Sequence, residues 1–267
     1  MASEGKIALI IVEGSSDQHA FKKCLDAYFK NVKNDLNIDC EVYKTDIRLH
    51  EFQKEDIVPV DNIYIDDLKK RISDSVKGFF NDHKSYSLTE KDLIAIAVLT
   101  DLDACYCKPS DVVSIPSENR KYLLDTRQIN AKNVPHMLEV NRWKKEANEM
   151  LNSIENIDID GTLLPFRCFY QSINLEHITS NNPNIDDEDI KDDNARDFRK
   201  EYKNNLDGFK ALLDSLSVIG DDYASSWNSN SLQEKSFEKM TNIKYFIDWI
   251  LEISANTSFD NSSELEN

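Results

Sequence analysis

Apolar residues fall into two recurring patterns along the first hundred positions, short unbroken runs and stripes at helical spacing. Lys6–Val12 and Asp92–Thr100 are unbroken runs rich in Ile, Val, Leu and Ala, the signature of strands buried on both faces. Between them, Phe21, Cys24, Leu25, Tyr28, Phe29 and Val32 recur at the spacing of one helical face, as do Ile65, Leu68, Ile72, Val76 and Phe79. Ser15 reads as the cap of the first helix, with Gln18 completing a capping box. Cys40–Thr45 reads as a further strand. Strand, helix, strand, helix, strand predicts an α/β fold, a mainly parallel sheet flanked by helices, with the strand carboxyl ends along one edge.

Beyond residue 105 the pattern loosens. Pro135–Ile154 suits a polar helix and Leu163–Ile173 a strand. Asn181–Asn194 reads as an acidic loop, while Ala195–Leu216 and Thr241–Ile253 carry helical apolar stripes. Ala255–Asn267, rich in Ser, Asn and acids, reads as a frayed tail. The expected division is an α/β unit over 1–180, a mostly α-helical region over 181–254 and a flexible tail over 255–267.

Charge narrows the function classes. The chain has 32 Lys+Arg against 49 Asp+Glu, a formal net charge of −17, which opposes a general nucleic-acid-binding surface. It leaves room for an acidic centre whose positive charge arrives with a metal ion. No apolar run approaches the about 20 residues of a membrane span, and the first residues lack the features of a signal peptide. The five cysteines show neither disulfide nor zinc spacing. A cytoplasmic protein with reduced thiols and no membrane partner is the expectation.

Candidate chemistry sits where the two buried runs end. The first ends Ile-Ile-Val-Glu13-Gly14 and the second Val-Leu-Thr-Asp101-Leu102-Asp103. If the extended backbone persists, Asp101 and Asp103 share a face. Open α/β sheets place ligands at strand carboxyl ends. Three carboxylates there, without an intervening base, suit a hard divalent cation such as magnesium. Alone, either signal is weak, since acids at strand ends are common.

Together, Glu13-Gly14-x-x-Asp17 opening a helix and a buried strand ending in Asp101-x-Asp103 resemble the Toprim domain of topoisomerases, bacterial primases and overcoming-lysogenization-defect (OLD) nucleases. The resemblance covers roughly residues 6–105. It implies that Glu13 is the general acid/base and that Asp101 and Asp103, with Glu13, hold Mg2+ (or Mn2+). The spacing of 88 residues between Glu13 and Asp101 implies an insertion around His50–Asn62, and Ala104-Cys105 replaces the glycine of primase-like members. Phe169–His177 is similar to a strand-then-helix segment of RloB-like phage-defence proteins. Asp17, in a first helical turn that favours a carboxylate, and Glu176, which reads first as a half-exposed helix start and second as a fourth carboxylate, are the accessory candidates.

The implied function is a magnesium-dependent endonuclease cleaving DNA or RNA in a bacterial anti-phage system. Its implied partners are a nucleic acid substrate, an ATPase or sensor protein, and a second copy in a homo-oligomer. The alternative is a non-catalytic, regulatory Toprim-fold subunit that docks such an ATPase, which the net charge favours. Three other signals carry little. Asn156-x-Asp158-x-Asp160-Gly161 mimics half an EF-hand loop but has Arg167 where calcium needs a bidentate Glu, so a turn is expected. Arg142–Lys145 and Arg196–Lys203 read as solvated helix faces. No tyrosine sits in a recognisable nucleophile context, which argues against topoisomerase activity.

Overall fold

A computed structural model describes residues 6–32, 38–45, 47, 64–84, 89–115 and 120–263. The expected insertion around 50–62 lies outside these residues. Five strands form the central sheet: β1 (Lys6–Val12), β2 (Ile38–Lys44), β3 (Leu93–Asp101), β7 (Asn156–Ile159) and β8 (Thr162–Gln171). Their order is β2-β1-β3-β8-β7, parallel except for β7, which forms an antiparallel hairpin with β8 at one edge. The protein is therefore a mixed α/β fold with a mostly parallel central sheet flanked by helices.

Strand periodicity divides the core into two layers. Ala8, Ile10 and Val12 of β1, with Ala95, Ala97 and Leu99 of β3, face one side. Ile7, Leu9 and Ile11, with Ile96 and Val98, face the other. On the first side lie α1 (Ser15–Val32), α5 (Glu188–Tyr202), α6 (Leu206–Leu216) and α9 (Lys244–Ser263), which contribute Phe21, Phe198, Phe209 and Phe246. On the second side lie α2 (Ile65–Asp82) and the end of α3 (Val134–Ser153), joined by Trp227 and Leu232 from α7 (Tyr223–Ser226), α8 (Ser229–Glu234) and their junction. Both faces of the three central strands are thus shielded, which is why those strands read as unbroken apolar runs rather than alternating ones.

A second, small sheet of β4 (Val112–Val113), β5 (Lys121–Leu123) and β6 (Gln128–Asn130) sits between β3 and α3, with its own core around Tyr122, Ile129 and Met137. Sequence patterning does not reveal it, because strands of two or three residues carry no readable period.

Several expectations need correction. Ser15 is already helical; the capping contact is made instead by Asp17, whose Oδ2 accepts the Gly14 N–H at 3.0 Å. Gln18 turns away and donates to the Val42 carbonyl at 2.7 Å. A Cβ at Gly14 would sit 2.8 Å from that Asp17 oxygen, so a larger residue there would push the carboxylate aside. The acidic stretch 181–194 is not all loop: Asp187 caps α5, accepting from the Asp189 and Ile190 N–H groups. The helix expected over 195–216 is two helices, broken after Tyr202 and restarted by Asn205, whose side chain accepts from Gly208 N–H. At the carboxyl end α9 runs through Ser263 rather than fraying from Ala255.

The half EF-hand pattern is the β7–β8 turn. Asp160 and Gly161 both take positive φ (49° and 88°), and Asp158 accepts the Gly161 N–H at 2.7 Å. Among the described residues no helix is long and apolar enough to cross a membrane.

Candidate functional site

The carboxyl ends of β1 and β3 lie side by side, with Val12 level with Leu99, and β8 follows with Gln171 level with Asp101. Everything that leaves these strands turns over one edge. A cleft of about 430 Å3 opens there, lined by Glu13, Asp17, Asp101, Asp103 and Glu176 together with Lys44 and Lys191. The three acids proposed from the strand ends and both accessory acids therefore all line this cleft.

Glu13 is the first residue past β1. Its Oε1 accepts from Thr100 Oγ1 at 2.8 Å and from the Asp101 N–H at 3.1 Å, so it is tied across to β3. Thr100 itself is buried, which keeps that donor in place. Asp17, one helical turn further on, places Oδ1 2.7 Å from Gln171 Nε2. The same nitrogen donates to Asp101 Oδ1 at 3.2 Å.

Asp103 behaves differently from the extended reading. β3 ends at Asp101, and Asp103 and Ala104 both take left-handed backbone, with φ of 50° and 54°. Such conformations cost about 1–3 kcal/mol each and persist only where surrounding contacts enforce them. Here the Asp103 and Ala104 N–H groups donate to the Ile173 and Ser172 carbonyls, continuing the edge of β8. The bend turns the Asp103 carboxylate toward the small sheet and α3. There it accepts from Arg120 at 2.9 Å, from Tyr122 OH at 2.8 Å and from Lys144.

Glu176 lies in the first turn of α4 (Leu175–Ser180), which Asn174 caps by accepting the His177 N–H at 3.0 Å. The strand-then-helix pattern read over Phe169–His177 is the β8–α4 connection. Burial raises the pKa of Glu176 from its ordinary value, with a backbone hydrogen bond and then Lys191 acting against it. Asp17 is pushed further, to about 7, by burial first and then by the negative charge of Glu13 and Glu176; the Gln171 amide and the Gly14 N–H pull it back. The cleft thus holds more negative charge than its own bases offset.

Sequence reasoning missed Gln171, Arg120, Tyr122 and Lys144. A signal existed for one of them: Met137, Val140, Lys144, Ala147 and Leu151 are all buried along one stripe of α3, so Lys144 occupies an apolar-face position rather than a solvated one. Among the described residues no three His, Cys, Asp or Glu side chains are already drawn together as a metal-binding group. The five cysteines are all buried thiols, and none lines the cleft.

No protein-family model matches the chain, and neither a curated protein nor a solved structure matches it.

Proposed function

We propose that the protein is a divalent-cation-dependent phosphodiesterase of Toprim type that cleaves nucleic acid. The observation that carries this reading is that Glu13, Asp17, Asp101 and Glu176 line one cleft at the carboxyl edge of a mostly parallel sheet, with Gln171 joining Asp17 to Asp101. The donor set fits magnesium or manganese, being hard carboxylate oxygens without imidazole or thiolate.

Magnesium needs only one or two protein carboxylates, water and phosphate completing its shell, so Asp101 with Asp17 or Glu13 suffices to hold it. Once bound, it would neutralise charge developing on a phosphate oxygen. Glu13, oriented by Thr100 and the Asp101 N–H, is the group to accept a proton from attacking water or return one to the leaving oxygen. Lys44 and Lys191 at the rim attract the polyanion, and Asp103 fixes Arg120 and Lys144 beside it. The resemblance to RloB-like and OLD proteins extends the proposal to a cytoplasmic role in bacterial anti-phage defence, alongside an ATPase or sensor partner.

The test is cleavage of DNA and RNA with magnesium or manganese by wild type, Glu13→Gln and Asp101→Asn. General acid–base groups contribute about 10²–10⁴-fold in rate, so Glu13→Gln should fall by that factor while still binding the cation. Equal cleavage by all three proteins rejects the mechanism.

A second reading has its own support. The three donors on Asp103 and the net charge of −17 suit a regulatory subunit whose acidic face docks a partner. Absence of cleavage by wild type in the presence of its partner would favour it.

A further inference from the structure

Gln171 is the last residue of β8 and is 1% exposed. Its backbone is pinned from both sides: the carbonyl accepts the Leu102 N–H at 2.9 Å, and the residue forms an isolated bridge with Thr241. Its side-chain nitrogen stands between two acids from different elements, 2.7 Å from Asp17 Oδ1 and 3.2 Å from Asp101 Oδ1. The other end of the amide is unsatisfied: among the described residues, Gln171 Oε1 is buried without a hydrogen-bond partner.

That orphaned oxygen is informative. A buried acceptor left unpaired costs about 1–3 kcal/mol. Turning the amide end for end would set its carbonyl oxygen against two carboxylates, which is worse. The orientation of Gln171 is therefore dictated by the acid pair, and the amide tolerates an unmet bond to serve it. A neutral N–H2 cannot cancel the charge of two carboxylates. What it does is draw one oxygen of each to the same nitrogen, which holds the two acids side by side at the cleft. The oxygens come from α1 and from the end of β3.

We propose that Gln171 is a positioning residue that pairs Asp17 with Asp101 for joint binding of the divalent cation, making Asp17 a ligand rather than merely a helix cap. This rests on the cation-dependent reading above. Gln171 is not a catalytic residue, since it acts only through the two acids.

The experiment is calorimetric titration of the full chain with Mn2+, alongside thermal unfolding without metal. Gln171→Leu keeps the side-chain volume approximately, removes the donor and also removes the orphaned oxygen. Mn2+ affinity should fall about 10–100-fold in a variant that still unfolds cooperatively, the usual loss when a ligand-orienting partner is removed. Gln171→Asn, which is one methylene too short to span both acids, should lose affinity similarly and covers the case in which the leucine variant does not fold. If wild type binds Mn2+, Asp101→Asn does not, and both Gln171 variants match wild type, the positioning role is overturned while the cation reading survives. If wild type binds no Mn2+, both are overturned.

Discussion

Lys144, midway along α3, donates to the carboxylate of Asp103, two residues beyond the end of β3. The lysine side chain is only 10% exposed, so this ion pair is largely removed from water. Removing one partner of a buried pair is costly because the other charge stays behind. The two partners should not be equivalent. In Lys144→Met, Asp103 retains Arg120 and Tyr122, and the loss should be about 1 kcal/mol. Asp103→Asn keeps a residue tolerant of the left-handed backbone but strands Lys144 without its anion, and should lose about 3 kcal/mol. Urea unfolding of the two variants measures the difference; equal losses would mean that the pair is solvated.

Asp17 should make the protein less stable as pH rises. Its folded pKa of about 7 lies above the ordinary 3.8, so between those values the folded chain holds a proton that the unfolded chain has released. Stability from this group is complete below about pH 4 and declines up to about pH 7. Asp17→Asn should remove that decline and be relatively more stable at pH 8. Chemical denaturation at several pH values, without divalent cations, checks the sign.

His177 should act in the opposite direction. Burial, with Lys239 adding to it, lowers its pKa from 6.5 to about 4, so the folded protein keeps the imidazole neutral where the unfolded chain protonates it. Stability from this group is present above about pH 6.5 and falls as pH drops toward 4. Over pH 4–6.5 the two slopes oppose each other. His177→Gln should therefore expose a steeper Asp17 slope than wild type shows, and an unchanged profile would exclude His177 as a contributor.

Phe246 on α9 meets Phe29 of α1 and Phe169 of β8 edge to face, at centroid separations of 5.9 and 5.6 Å. Phe246→Ala should cost about 3–5 kcal/mol. Under the proposed function, the same variant should weaken cleavage only through the folded fraction, since the ring lies within the helical layer and does not line the cleft. A loss of activity greater than the loss of folded protein, read by circular dichroism on the same samples, would contradict that separation.

The parts of the site that the sequence made legible are those that depend on topology alone. β1 and β3 are buried on both faces, so their apolar runs mark their ends, and parallel pairing brings Glu13 and Asp101 to the same edge. Asp103 was not legible, because its direction depends on two left-handed residues stabilised by the backbone of residues 172 and 173. Gln171 lay hidden as one polar residue ending a long strand, its meaning set by partners 70 and 154 positions away. In the second half, the acids of α5 mask a helix whose buried residues are only Ala195 and Phe198.

The helical layer over β1 and β3 also imposes an order of events during synthesis. One face of these early strands is closed by Phe198, Phe209 and Phe246, which emerge from the ribosome long after Glu13 and Asp101. Gln171 likewise depends on Thr241 for its backbone bridge. A nascent chain halted before Thr241 would lack both the bridge that frames Gln171 and the α9 part of the cover over its sheet. The acidic cleft is thus framed only after residue 241 has been made, and shorter translation products should be chaperone-bound.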